Sequence, residues 1–267
     1  MKKLITLVLI VACTCSLAAC GSKKEEKVDS KESTQIAGPE DLKGKKIGVQ
    51  LGTTGDLYTT DEFGDENIER YNKGFEAVQA LSQGKIDAVV IDDQPAKAFV
   101  AKTKGLKILE AAYAEEEYAM CFKKGNEDLV KKFDATIEEL KKDGTFDQII
   151  SYYIGKEEGA VRYSSPADVN RSNGKLVMAT NAEFEPYEYY DGEAIVGIDA
   201  DFAQAIADKL GMELKIEDMA FDSIIPAVQG GKADFAAAGL TVSDERKTQV
   251  DFAQSYYTGR QVIIVKE

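Results

Sequence analysis

Four polar stretches of this chain each follow a short apolar run. Gly52–Gly55 follows Lys46–Gln50, and Asp92 with Asp93 follows Ala88–Ile91. Asn181–Tyr187 follows Leu176–Thr180, and Gly239–Arg246 follows Asp234–Ala237. If the runs are strands, all four stretches sit at strand ends, where open α/β sheets bind ligands. Their chemistry is complementary to a zwitterion. Thr54, Thr241 and nearby backbone N–H groups can donate to an anion, and Arg246 can form a bidentate fork with a carboxylate. Asp92 can accept from an ammonium. Phe184 and Phe221 offer flat apolar faces. A carboxylate beside an ammonium describes the α-end of a free amino acid. Charge-assisted hydrogen bonds of roughly 1.5–3 kcal/mol each bring micromolar affinity within reach after ordering costs.

Each residue also has an ordinary reading. Gly52-Thr-Thr-Gly55 is a frequent turn, and Arg246 between Glu245 and Lys247 suits a solvated helix surface. Asp92 can cap a helix begun at Pro95, and both Phe can be core. Their coincidence at matching strand ends favours a site.

Composition removes other chemistry. The 267 residues include no histidine, so there is no Ser-His-Asp or Cys-His nucleophile, no His-ligated zinc and no His base. Neither metal nor cofactor is expected. The net charge of −14 argues against nucleic acid as a partner. Met1-Lys-Lys, an apolar run and Leu17-Ala-Ala-Cys20-Gly read as a secretory signal over 1–19, too short for a comfortable membrane span. The last residues resemble the bacterial lipobox, which implies cleavage before Cys20 and lipidation of its thiol. Cys13 and Cys15 leave with the signal, so Cys121 stays as the unmodified thiol and no intrachain disulfide is expected. Residues 20–35, rich in Lys, Glu and Ser, read as a flexible tether.

The elements that must position the polar stretches alternate as strand and helix, an α/β pattern with mostly parallel sheets. Strands are expected at Lys46–Gln50, Ile68–Tyr71, Ala88–Ile91, Lys107–Leu109, Ala119–Phe122, Leu176–Thr180, Glu213–Ile216, Asp234–Ala237 and Gln261–Val265. A helix is expected over Glu127–Lys142, with Leu129, Phe133, Ile137 and Leu140 on one face and Gly144 as its stop. Another is expected over Phe146–Ile154. The stretch from Ala77 to Val90 parallels that from Ile224 to Ala237. Each reads as a helix, a Gly-Lys stop and an Asp opening a buried strand, which suggests two lobes built alike. Gly155–Gly174 lacks periodicity and reads as a surface linker.

Several segments resemble the bacterial family 3 solute-binding proteins, the amino-acid-binding lipoproteins of ABC transporters. Ala179–Tyr187, Gly192–Asp201, Asp218–Pro226, Asp234–Lys247 and Val250–Tyr257 are similar to the family's first lobe. Leu42–Gly55 and Lys85–Asp92 are similar to its second lobe. Gly239-x-Thr241-x-x-x-x-Arg246 is the most specific motif. The resemblance implies a two-lobed, periplasmic-binding-protein-like (type II) α/β fold. Gly239, Thr241 and Arg246 would hold the α-carboxylate with help from Thr54. Asp92 and the Gly239 carbonyl would take the ammonium. Phe184 and Phe221 would sandwich the side chain. Ala238 falls in the same loop, and Asn181, Glu183 and Gln50 fall where relatives choose among side chains.

The segments occur in the reverse of the family's order, so the chain looks circularly permuted. The second lobe is expected over 36–111, the hinge over 112–118, and the first lobe over 117–267 with the 155–174 linker closing it. This arrangement predicts a single covalent crossover between lobes. The implied protein is extracytoplasmic, monomeric and anchored by lipid to the cell membrane. It would capture a polar or cationic amino acid for an ABC permease without chemistry. The alternatives are an enzyme on the same fold, dehydratase or peptidoglycan lyase-like, with Glu183 as its acid/base, or a ligand-sensing module.

Overall fold

The expected alternation produces two main sheets with the same plan. The computed structural model describes residues 35–155 and 158–267. The signal, Cys20 and all of the tether but its last residue lie outside the described residues. In chain order come β1 (Ile47–Gln50), α1 (Thr54–Phe63), β2 (Ile68–Tyr71), α2 (Gly74–Ser82), β3 (Ala88–Asp92), α3 (Asp93–Lys102), β4 (Leu106–Ile108), β5 (Ala114–Tyr118) and β6 (Cys121–Lys123). Helices α4 (Glu127–Lys142) and α5 (Thr145–Ile150) follow, then β7 (Lys175–Thr180), β8 (Glu183–Phe184), β9 (Glu188–Asp191), β10 (Ala194–Val196), α6 (Ile198–Leu210) and β11 (Glu213–Asp218). The last elements are α7 (Ile224–Gln229), β12 (Phe235–Ala236), α8 (Asp244–Gln249), β13 (Val250–Phe252) and β14 (Tyr257–Lys266).

One sheet runs β2-β1-β3-β14-β4, with β5 also paired to β14, and the other runs β11-β7-β12-β6-β13. Each has three parallel strands, then an antiparallel strand supplied from elsewhere in the chain, then a last strand. β14 is antiparallel to β3 and β4, as β6 is to β12 and β13. β1 and β3 are buried along their whole length, as expected of central strands covered on both faces. Helix α4 has the bounds expected from its periodicity and buries Phe133, Ile137 and Leu140.

The internal echo has a structural meaning. Asp87 accepts the Lys46 N–H at 2.8 Å, and Asp234 accepts the Val177 N–H at 2.7 Å. The Lys85 N–H meets the Ala80 carbonyl at 3.0 Å, and the Lys232 N–H meets the Ala227 carbonyl at 2.9 Å. In both lobes Gly-Lys stops a helix, and the Asp then fastens the start of the neighbouring strand. A carboxylate accepting a backbone N–H is stronger than a neutral pair, so it suits a point where register must be set.

Several expectations need correction. The single crossover does not match the path of β14. Its first half, Tyr257–Gln261, lies antiparallel to β5, and its second half pairs with β3 and β4. The chain therefore passes between the sheets twice, through β5 and again through β14, and the C-terminal residues complete the sheet of the first segment. The apolar run Val262–Val265 is buried there because a sheet interior needs it. The expected helix 146–154 is α5 followed by a π-turn over Ser151–Gly155. The expected strand Ala119–Phe122 sits later, at β6.

Strands β8–β10 form a small antiparallel sheet that polar alternation over Glu183–Val196 concealed. The linker is fastened to α6. Arg162 forks onto Asp201 at 2.6 and 2.8 Å, while Tyr163 and Arg171 bond Asp208 at 3.0 and 2.8 Å. Among the described residues no helix is long and apolar enough to cross a membrane.

Candidate functional site

The loops that leave β1, β3, β7 and β12 meet between the two sheets. Gln50, Thr53, Thr54, Asp92, Phe184, Phe221, Ala238, Gly239, Thr241 and Arg246 line one small cleft. Of the residues named from sequence, Gln50, Thr54, Asp92, Phe184, Phe221, Ala238, Gly239, Thr241 and Arg246 are brought together here. Asn181 is adjacent through a side-chain bond from Gln50 at 2.9 Å. Glu183 stands at the rim, where Lys73 donates to it from the opposite lobe. A larger groove of about 710 Å³ lies elsewhere, between α3 and Tyr152–Ile154. It lacks convergent buried polar groups, so size and chemistry point to different places and the chemistry is the better guide.

Local structure explains how each group is held. Thr53 caps α1 by accepting the Asp56 N–H at 3.3 Å, which leaves Thr54 in the first turn facing the cleft. Asp92 closes β3 and stands at the cap position of α3. Ser243 caps α8 by accepting the Arg246 N–H at 3.2 Å, fixing the root of that side chain. The guanidinium bonds the carbonyls of Thr241 at 3.0 Å and Gly52 at 3.2 Å, one from each lobe, and lies 5.6 Å from the Phe221 ring centroid. Gly239 has φ +52°, and an added Cβ would lie 2.8 Å from the Phe184 ring. Only glycine fits between this turn and that aromatic wall.

The electrostatics are those of a buried charged site. Arg246 is 3% exposed and Asp92 5%. Burial lowers the Arg246 pKa, opposed chiefly by the nearby charge of Glu116. Among the described residues Arg246 has no carboxylate within ion-pair distance; its two bonds go to neutral carbonyls. Burial, then the charge of Glu116, pushes the Asp92 carboxyl up to about 7, although the Tyr118 hydroxyl donates to it. Cys121 is buried and its thiol is pushed up to about 12 by burial, which makes it inert. Among the described residues no cluster of acidic or thiol side chains is arranged to hold a metal.

Two residues were missed by the sequence reading. Glu116 in β5 is 4% exposed, and its Oε2 accepts from Thr241 Oγ1 at 3.1 Å and Gln261 Nε2 at 2.9 Å. The Thr241 hydroxyl therefore already has an acceptor inside the protein. Tyr118, two residues on, holds Asp92. The available signal was strand alternation, which turns Glu116 and Tyr118 inward and Glu115 and Glu117 outward. In Glu115-Glu-Glu-Tyr118 the run of charge masked it.

Residues 176–267, about a third of the chain, match the model of the bacterial extracellular solute-binding proteins, family 3. The arginine-binding extracellular protein ArtP of Bacillus subtilis is 40% identical over 104 residues, 39% of this chain and 41% of that protein. A solved ancestral arginine-binding protein bound to arginine is 46% identical over 32% of this chain and 38% of its own, with a TM-score of 0.31. A membrane-bound lytic murein transglycosylase F of Desulfosudis oleivorans is 33% identical over 95 residues, 36% of this chain and 21% of that protein. The chain thus spans about two fifths of the length of the first curated relatives it matches. Two similar α/β sheets with their ligand-type loops facing one another make this a two-lobed, periplasmic-binding-protein-like fold. Its C-terminal third carries the family 3 signature.

Proposed function

We propose that this protein is an extracytoplasmic binding protein that captures a free amino acid in the interlobe cleft and delivers it to the permease of an ABC importer. One observation carries the reading. Among the described residues a buried guanidinium with no carboxylate in ion-pair reach lines the same cleft as the buried carboxylate of Asp92, with Phe184 and Phe221. A buried cation is costly unless paired, and a ligand carboxylate would pair it. The ligand's ammonium would do the same for Asp92. Arg246 and Thr54 then hold the carboxylate end; the Thr241 hydroxyl and the Gly239 amide, expected to join them, are engaged by Glu116 and Asp199 and shape the loop instead. Asn181, Glu183 and Gln50 face the side chain.

Charge also bears on the ligand class. Once a ligand ammonium has ionised Asp92, the cleft holds the positive charge of Arg246 against the negative charges of Asp92 and Glu116. A zwitterion leaves that balance unchanged, and a cationic side chain neutralises it. Arginine and lysine are therefore favoured. Closure of two hinged lobes on a ligand that touches both is the mechanism. Glu183, the acid/base candidate of the enzyme reading, is engaged by Lys73 at the rim, which supports binding without chemistry. Anchoring through lipidated Cys20, a monomeric state and circular permutation complete the proposal. Permutation is supported by the family 3 match falling on residues 176–267, behind a segment that supplies the parallel strands β1–β3 of the other main sheet.

A thermal-shift panel of the common amino acids tests the function. A ligand at about 100 times its Kd should add about 2.7 kcal/mol of stability. The largest shifts are expected with arginine or lysine; no shift with any α-amino acid would overturn the assignment.

A further inference from the structure

Behind the cleft two carboxyl groups are buried against each other. Glu188 in β9 and Asp199 in the first turn of α6 are both 0% exposed. The backbone forces them together. The Ile198 N–H meets the Pro186 carbonyl at 3.0 Å, and the Asp199 N–H meets the Tyr187 carbonyl at 2.8 Å. Gly197 permits this approach: its φ is +128°, and a Cβ there would lie 2.2 Å from the Tyr187 carbonyl oxygen. Glu188 follows Tyr187 directly, so the Asp199 N–H bonded to the Tyr187 carbonyl sets the two acids beside each other.

Their surroundings hold one negative charge and not two. Asp199 accepts from the Gly239 N–H at 2.7 Å and from the Tyr256 hydroxyl at 2.7 Å, one donor on each oxygen. Among the described residues neither oxygen of Glu188 has a donor. The other titratable groups facing the pair are Tyr187 and Tyr256, and more distantly Asp92 and Asp218, all neutral or negative. Arg162, also against α6, is engaged by Asp201. Two adjacent carboxylates without a cation cannot both ionise in a dry site. Asp199, with donors on both oxygens, is suited to the charge. Glu188, with none, is suited to the proton. Consistently, burial and Asp199 raise the Glu188 carboxyl well above the usual range.

The pair also touches two cleft-lining groups of one lobe. Asp199 fastens the amide of Gly239 in the ligand loop. Glu188 is the cross-strand partner of Phe184, the wall against which Gly239 rests.

We propose that Glu188 and Asp199 share one proton, donated by Glu188 to Asp199, and that this acid–carboxylate pair is the positioning element that sets Gly239 against Phe184. Its effect on ligand affinity rests on the amino-acid-binding reading; the shared proton does not.

Infrared spectroscopy of the whole protein near pH 9, about where ordinary carboxyls are ionised, tests the proton directly. The wild type is expected to show the carbonyl stretch of a protonated carboxylic acid, and Glu188→Gln is expected to lack it. Absence of the band from the wild type, or its persistence unchanged in Glu188→Gln, overturns the proposal. The wild-type spectrum decides even if the variant does not fold. For positioning, Glu188→Ala should weaken binding of the amino acid with the largest thermal shift by about tenfold and speed exchange of the Gly239 amide. Glu188→Gln, which still donates to Asp199, should restore most of that affinity. Equal affinities for all three proteins would overturn the positioning role. A wild type that binds no amino acid sinks the proposed function instead and leaves the spectroscopic result intact.

Discussion

The lobe of the six-stranded sheet sends Gln50, Thr54 and Asp92 into the cleft, while the lobe of the five-stranded sheet, with the small β8–β10 sheet, sends Phe184, Phe221, Gly239, Thr241 and Arg246. Both sheets have the same strand order, the same Gly-Lys-x-Asp fastening and the same antiparallel insert. Symmetry of scaffold has not produced symmetry of chemistry. One lobe carries the cation and both aromatic walls. The other carries a carboxylate and two neutral donors. The lobe with Arg246 is therefore expected to supply most of the binding energy, and the lobe with Asp92 to sense closure.

The largest expected effect breaks the cation's side of this division. Arg246→Ala removes both forked donors and should weaken binding at least about 100-fold, at roughly 1.5–3 kcal/mol per charged bond; calorimetric titration would measure it. Retained affinity would put the carboxylate site elsewhere. Next, Gly239→Ala must move Phe184 or strain a positive-φ turn, at about 1–3 kcal/mol. Thermal unfolding and ligand titration should both register the loss.

Asp92→Asn sharpens the other side. Its carboxyl is raised to about 7, above the unfolded value near 3.8. The folded state thus holds the extra proton between those values, and this contribution to stability is lost as pH rises through about 7. A ligand ammonium favours the carboxylate, so wild-type binding near pH 6.5 should release a proton, about as expected from linkage. Calorimetry in buffers of different ionisation heat should see that release in the wild type and a much smaller one in Asp92→Asn. The smallest effect is expected at the rim, where Lys73→Met removes a half-exposed partner of Glu183. Roughly 0–1 kcal/mol is at stake, and it should vanish in high salt.

Much of the fold was legible. Helix α4 and strand β2 have the expected bounds, because strong periodicity and a clean apolar run leave few alternatives. The small sheet β8–β10 was hidden because Glu and Tyr obscure its alternation. Glu116 was hidden in a run of like charges. Glu188 read as one more surface acid, since nothing local says that Asp199 will be folded against it.

By itself the sequence determined which chemistry was available. The absence of histidine excluded His-dependent catalysis, and Thr, Arg, Asp and Phe at strand ends supplied groups complementary to a zwitterion. Those are local properties of residue type and spacing. The destination of Tyr257–Lys266 was decided only by tertiary structure, because a buried apolar strand pairs wherever a sheet has a vacant edge pattern to complete. So were the second passage between lobes, the inward turn of Glu116 and the meeting of Glu188 with Asp199. Each depends on contacts between residues far apart in the chain, which hydrophobic period and turn chemistry do not encode.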